Sequence, residues 1–415
     1  MTFKELNLNE HLLEALDHMG FQNPTPIQEQ AIPRILDNKD MIACAQTGTG
    51  KTAAFILPIL HKLTGKQDST IDTLIIVPTR ELAVQIEQEI QGLSYFVSVG
   101  SIAIYGGGDG KNWNEQRDAL KEGLDIIVAT PGKLLSHLNM GYVNFSKVKH
   151  LVLDEADKML DMGFSDDLLK IISFLPEKRQ TLLFSATMPA KIRNLATKIL
   201  KQPEEITLSI SKPAAGVSQN VYLAFDNQKN DLLKHILLSR PEYTSIIIFT
   251  SSKLKVHEIV SALRKNGFKS QGVSSNLDQD QREEVLRGFR SKRTRILVAT
   301  DVMSRGIDIK EINMVINYDC PRDAEDYVHR IGRTARANTK GEAYTLVNEK
   351  DMPKLQRIER LIEAEIVKLP LPEELGTGPE AKRSSSSSGS ANGNKKPSSR
   401  KKKFRRPAGK KEEAK

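Results

Sequence analysis

The stretch Ala45-Gln46-Thr47-Gly48-Thr49-Gly50-Lys51-Thr52 constrains this chain more than any other. The apolar run Met41–Ala45 leads into it, and Ala53–Leu57 leads out with helical character. A strand that breaks into a Gly-rich turn and then starts a helix is a phosphate cradle. The glycines let backbone N–H groups turn inward, the helix N-terminus adds partial positive charge, and a lysine reaches the terminal phosphates. The alternative, a Gly-rich turn with a stray lysine, leaves the strand before and the helix after without a purpose. Ala45 stands where the general pattern has its first glycine.

Composition sets the frame around that turn. A chain of 415 residues predicts two domains with some chain left over. An apolar content of 39% leaves room for sizeable cores. Cys44 and Cys320 lie far apart in or beside apolar runs, away from clustered histidines. That spacing suggests neither a disulfide framework nor a zinc site, and fits a reducing, cytoplasmic compartment. Met1–Glu5 shows no signal-peptide pattern, and no apolar run approaches the ~20 residues a membrane helix needs. The net charge of +9 is uneven: residues 381–415 hold 13 Lys and Arg against two Glu, so the rest of the chain is close to neutral. A basic tail of that density meets a polyanion such as RNA, or else serves as a solvated solubility tail.

Along the chain, residues 1–30 read as amphipathic, with Leu6, Leu8, Leu12, Leu13 and Leu16 as core candidates. The turn at Pro24 and Pro26 precedes Gln28, whose amide can pair with adenine. Apolar runs then recur at Thr73–Val77, Ile102–Tyr105, Asp125–Ala129, His150–Leu153 and Thr181–Phe184, with Ile206–Ile210 as a possible closing strand. Helical stretches between them argue for a mostly parallel sheet flanked by helices, which binds ligands beyond the carboxyl ends of its strands. Each of the five runs is followed by a polar motif, from Pro78-Thr79-Arg80-Glu81 to Ser185-Ala186-Thr187. Asp154-Glu155 after the fourth run is placed to hold Mg²⁺ beside Thr52 and to polarise a water; without the phosphate cradle it would be a pair of solvated loop acids.

A second alternating series follows, with runs at Val221–Phe225, Ser245–Phe249, Thr294–Ala299, Met314–Asn317 and Ala343–Val347, and no second Gly-Lys-Thr. In His329-Arg330-Ile331-Gly332-Arg333-Thr334-Ala335-Arg336, a helix would align His329, Arg333 and Arg336 on one face, suited to phosphate. An exposed basic helix is the alternative. The Ser-, Gly- and Lys-rich remainder cannot bury enough apolar surface to fold alone.

Together these motifs resemble the DEAD-box RNA helicases over about residues 1–370. The resemblance implies an α/β fold of two tandem RecA-like domains, at 1–209 and 220–370, joined by a linker at 210–219. A disordered basic tail at 371–415 would add RNA affinity. It implies a monomeric core that hydrolyses ATP with Mg²⁺, stimulated by RNA with little sequence preference, and that locally separates short duplexes. Phe3 would stack on adenine, Gln28 would select it, and Asp308 would contact the ribose. Ala45, Gln46, Thr47, Gly48, Thr49, Gly50, Lys51 and Thr52 would hold the phosphates, with Thr52 and Asp154 on Mg²⁺. Glu155 would orient water, and Arg333 and Arg336 would be arginine fingers. Asp157, Ser185, Thr187 and His329 would couple nucleotide state to strand separation. Thr79, Arg80, Gly107, Thr130 and Gly132 in the first domain, and Gln279, Arg282 and Thr300 in the second, would contact the RNA backbone. Lys133 departs from the arginine common after Thr-Pro-Gly, Ser274-Ser275 from a His-Gly pair, and Ala335 from a glycine. An RNA clamp that uses ATP binding with little unwinding, and a DNA translocase, are the rival readings.

Overall fold

The computed structural model describes residues 1–45, 48–66, 68, 70–107, 110–208, 216–274, 277–301, 312–334 and 340–379. The first domain opens with a 3-10 turn at Phe3–Leu6 and helices α1 (Glu10–His18) and α2 (Pro26–Leu36). Strands and helices then alternate: β1 (Met41–Cys44), α3 (Lys51–Leu63), β2 (Thr73–Ile76), α4 (Arg80–Leu93), β3 (Ser101–Ile104) and α5 (Gly110–Glu122). They continue as β4 (Ile126–Ala129), α6 (Pro131–Asn139), β5 (His150–Leu153), α7 (Ala156–Asp161), α8 (Ser165–Ile172), β6 (Gln180–Ser185), α9 (Ala190–Ile199) and β7 (Glu204–Thr207). The seven strands are parallel, in the order β3-β4-β2-β5-β6-β1-β7.

The second domain runs β8 (Val217–Leu223), α10 (Lys229–Leu238), β9 (Ile246–Phe249), α11 (Lys253–Lys265), β10 (Ser270–Val273), α12 (Gln279–Arg290) and β11 (Ile296–Ala299). It continues as β12 (Met314–Asn317), α13 (Ala324–Ile331), β13 (Gly341–Val347), α14 (Met352–Ile362) and β14 (Val367–Leu369). Its order, β10-β11-β9-β12-β13-β8-β14, repeats the first sheet strand for strand. Both domains are therefore RecA-like parallel sheets with helices on both faces.

A parallel sheet needs both faces covered, and strand periodicity supplies the two cores. In β1, Met41 and Ala43 face the cluster of α1 to α4, while Ile42 faces the cluster of α6 to α9. The second sheet divides in the same way: Ile247 and Phe249 of β9 face one cluster, Ile246 and Ile248 the other. Most expected runs are strands to within a residue or two. The closing strand of the first sheet is Glu204–Thr207 and not Ile206–Ile210, because Ile206 registers with Ala43 and an edge strand tolerates the glutamates before it. β8 starts at Val217, inside the stretch expected as linker. Leu371 and Leu375, in the stretch expected as tail, pack on the second core, and Gln228 Nε2 donates to the carbonyls of Leu375 (2.7 Å) and Thr377 (3.2 Å). No helix among the described residues is long and apolar enough to cross a membrane.

Candidate functional site

β1 ends where the phosphate turn begins, and α3 starts at Lys51 directly behind Gly50. Gly48 (φ +83°) and Gly50 (φ +88°) occupy the left-handed region that lets successive N–H groups point inward. A Cβ at Gly50 would stand 2.5 Å from Gln28 Nε2, so glycine is also required by close approach. Gln28 is buried. Its Nε2 donates to the Gly50 carbonyl (3.1 Å), and its Oε1 accepts from the Thr25 N–H (2.9 Å) as part of the capping box of α2. One N–H and one lone pair of the amide are left over, the complement an adenine edge requires. Phe3 is 5% exposed and meets Phe21 edge to face (6.4 Å), so its described contacts are core packing. Lys51 is buried, with Nζ donating to the Ala45 carbonyl (2.8 Å). Gln46, Thr47, Asp308 and Arg336 lie outside the described residues, as does the side chain of Gln279.

Asp154 and Glu155 follow β5. Burial pushes the Asp154 carboxyl up to about 6 although Lys51 pulls it down. Glu155 sits at φ 52°, turning the chain at once from strand into α7. Its Oε1 pairs with Lys158 Nζ at 2.5 Å, both side chains being buried, while Oε2 is buried without a hydrogen-bond partner among the described residues. Burial alone would raise the Glu155 pKa, but Lys158 and Lys51 outweigh it and keep the carboxylate ionised. Asp157 Oδ2 accepts from both the N–H and Oγ1 of Thr187 (3.1 Å each), and Ser185 Oγ donates to the Thr187 carbonyl (2.7 Å). These three expected coupling residues are joined.

The second domain meets this site through α13. Burial pushes His329 down to about 4, with charges on Lys158, Asp157, Lys51 and Arg333 acting on it. Lys158 in turn feels Arg333. Arg333 does not continue the helical face of His329: α13 ends at Ile331, and Arg333 lies in the turn beyond it, with its N–H on the Arg330 carbonyl (3.2 Å). Arg330 is buried and grips Asp301 with both Nε (2.6 Å) and Nη2 (2.7 Å). A cavity of about 550 Å³ beyond the carboxyl ends of β9, β11 and β12 is lined by Thr300, Asp301, Asp319, Arg322 and Arg330, with Asp161 from the first domain.

The expected RNA residues gather beyond the strand ends. Thr79 caps α4, with Oγ1 accepting from the Leu82 N–H (3.3 Å). Thr130 precedes α6, and Gly132 lies exposed in its first turn. Gly107 has φ +88°, and its carbonyl accepts from Arg80 Nη1 (2.8 Å). Arg80 and Arg282 also cross between the domains: Arg80 Nη2 meets Glu283 Oε1 (2.8 Å), and Arg282 Nη1 meets Glu81 Oε1 (3.2 Å). Sequence reasoning gave no role to Lys158, Arg330, Glu81 or Glu283. Lys158 carries a signal, its i+3 spacing from Glu155; the cross-domain acids carry none that a single sequence shows.

A family model described as DEAD/DEAH box helicase matches residues 25–195, and one described as helicase conserved C-terminal domain matches residues 228–338. The DEAD-box ATP-dependent RNA helicase CshA of Geobacillus kaustophilus is 43% identical over 361 residues, which cover 86% of this chain and 76% of that protein. Among solved structures, S. cerevisiae Dbp5 bound to RNA and ADP BeF3 superposes with a TM-score of 0.80 at 33% identity, covering 89% of this chain and 95% of that one. Mss116p bound to ssRNA and AMP-PNP gives 0.77 at 30% identity, covering 90% and 80%.

Proposed function

The chain belongs to the DEAD-box family of ATP-dependent RNA helicases, enzymes that hydrolyse ATP, and from that premise we propose how its residues divide the work between two domains. The first domain, ending near residue 208, binds ATP; the second, from β8 onward, supplies the arginines. The N–H groups of Gly48, Thr49 and Gly50 and the ammonium of Lys51 hold the β- and γ-phosphates. Gln28 reads adenine with the amide capacity left by its two bonds. Phe3 acts on the base site through Phe21, by steadying the loop that leads to Gln28.

The acids suit a bound Mg²⁺: Asp154 and Glu155 are buried around Lys51, and Glu155 Oε2 has no described hydrogen-bond partner. Thr52 and Asp154 would hold the ion, whose positive charge would offset the negative charge of the phosphates. Glu155, kept ionised by Lys158, orients the attacking water and draws its proton. Arg333 and Arg336 close on the γ-phosphate; such fingers contribute roughly 10³–10⁵ in rate. Asp157, Thr187, Ser185 and His329 pass closure to the RNA face. There Thr79, Arg80, Gly107, Thr130, Gly132, Gln279, Arg282 and Thr300 hold a backbone, with the 2′-hydroxyls selecting RNA. The enzyme works in the cytoplasm.

The observation that carries this split site is that the two domains meet beside it: Asp161, on the helix that follows the acids, lines one cavity with Asp301 and Arg330 of the second domain, and the charges of Lys158 and Lys51 act on His329. Phosphate release measured with and without RNA tests it, alongside separation of a short duplex. RNA should raise turnover by at least tenfold, and equal rates would reject the closure mechanism.

A further inference from the structure

We infer that Trp113 is a positioning residue for Lys133, fixing its ammonium where an RNA phosphate crosses the first domain; the RNA path is the one proposed above. Trp113 is the single tryptophan of the chain and lies partly exposed on α5. Lys133 stands in the first turn of α6, beside Thr130 and Gly132, with Nζ 4.1 Å from the centre of the Trp113 ring. No carboxylate among the described residues pairs with Lys133. Its charge is anchored by the ring and remains uncompensated, the condition for meeting a phosphate.

The ring is itself held. Trp113 stacks on His137 with centroids 4.0 Å apart and planes 13° from parallel. His137 is fully buried. Gln116 Nε2 donates to the Tyr105 carbonyl (3.5 Å), which turns Oε1 toward His137 Nε2 (3.3 Å). The His137 proton therefore sits on Nε2, and Nδ1 accepts from the Tyr142 hydroxyl. Burial first, and then Lys133, push His137 down to about 4, so at neutral pH it does not repel the ammonium above its neighbour. The nearby cations have other engagements: Lys121 lies over the Tyr142 ring, and Arg117 pairs with Asp118.

The bracket sits between two turns of the RNA path. β3 leads to Gly107 and β4 to Thr130, and the Thr130 N–H donates to the Ile104 carbonyl (2.9 Å). A lysine on a flexible stem lacks the preorganised fork of the arginine common at this position. Clamping it on a stacked indole restores a fixed direction before RNA arrives.

The test uses the full chain with a non-hydrolysable ATP analogue and fluorescein-labelled oligouridylate. Anisotropy reports binding, and emission of the single tryptophan reports the bracket. RNA should change Trp113 emission in step with anisotropy. Lys133→Ala should weaken binding about 5–10-fold and flatten the dependence of log affinity on log salt by about 0.7. Trp113→Ala should weaken it about threefold with the slope kept, since the charge remains. Trp113→Phe should restore most of the loss, and the double alanine variant should bind no worse than Lys133→Ala alone. Additive losses, or saturating anisotropy with unchanged tryptophan emission, would overturn the pairing while leaving the RNA path intact. Failure of the unaltered chain to bind RNA at all would overturn both. Should Trp113→Ala not fold, Trp113→Phe and Lys133→Ala carry the comparison.

Discussion

Glu155 is held in a conformation that non-glycine residues adopt rarely and that costs about 1–3 kcal/mol. The left-handed turn lets β5 become α7 with no intervening loop, so Asp154 stays at the strand end while Glu155 turns inward onto Lys158. Glu155→Gln keeps the shape but removes the base. It should bind ATP and RNA and release phosphate about 10²–10⁴-fold more slowly, as read in a single-turnover assay. Normal turnover would remove Glu155 from its role. Lys158→Met tests the ion pair from the other side. The Glu155 pKa is depressed because its cations outweigh its burial; without Lys158 the balance shifts toward burial and the pKa rises. The ionised form is the active one, so the acid limb of the pH–rate profile should move to higher pH. Stability should fall by roughly 3–5 kcal/mol, the cost of leaving a buried charge without its partner. An unmoved acid limb would show that Lys158 does not set the charge state. The two acids were legible from their place after an apolar run in a chain with a phosphate turn. Lys158 was not, because an i+3 pair reads as surface decoration until burial is known.

At the scale of elements, apolar runs betrayed the central strands because parallel strands are buried on both faces and need no alternation. β10 and β14 escaped for the opposite reason. They are edge strands, spelled Ser-Gln-Gly-Val and Val-Lys-Leu, and half-exposed edges do not need apolar side chains. Helix α4 against helix α12 was also beyond the sequence. Arg80 and Arg282 were expected on RNA, yet each holds a glutamate of the other domain. Their acids separate the two roles. If Glu283 only faced the RNA path, removing its negative charge would tighten RNA binding. If it fastens the closed state, Glu283→Ala should weaken RNA binding and lower RNA-stimulated turnover. The more buried pair should show stronger coupling: Glu81→Gln and Arg282→Gln, measured singly and together, should deviate from additivity by about 0.5–3 kcal/mol. Tighter RNA binding by Glu283→Ala would return Arg80 to phosphate contact alone.

Over the whole molecule, two sheets of identical strand order carry different chemistry, the first beyond the carboxyl ends of its strands and the second beside the amino ends of β12 and β13, where Thr334 Oγ1 donates to the Ile312 carbonyl. In the proposed split site the first bears the phosphate turn and the acids and the second bears the arginines, so neither domain alone should hydrolyse ATP at the rate of the whole chain. By linkage, whatever favours the joined state must make ATP and RNA tighten each other's binding by the same factor. The core that does this is close to neutral, and the excess charge lies in residues 381–415. The segment before that tail is part of the fold: Gln228 holds the carbonyls of Leu375 and Thr377, and a Cβ on Gly378 would collide with the Leu223 carbonyl at 2.1 Å. A chain ended at Leu375 would therefore disturb the second domain, whereas one ended at Glu380 removes charge and leaves those contacts in place. The shorter chain should keep its basal ATPase and thermal stability. Its affinity for single-stranded RNA should fall, and the salt slope should flatten by about 0.7 for each phosphate the tail had contacted. The ATP–RNA coupling factor should stay unchanged, because it belongs to closure and not to the tail. An unaltered salt slope would make the tail a solubility device, and a diminished coupling factor would place it inside the switch.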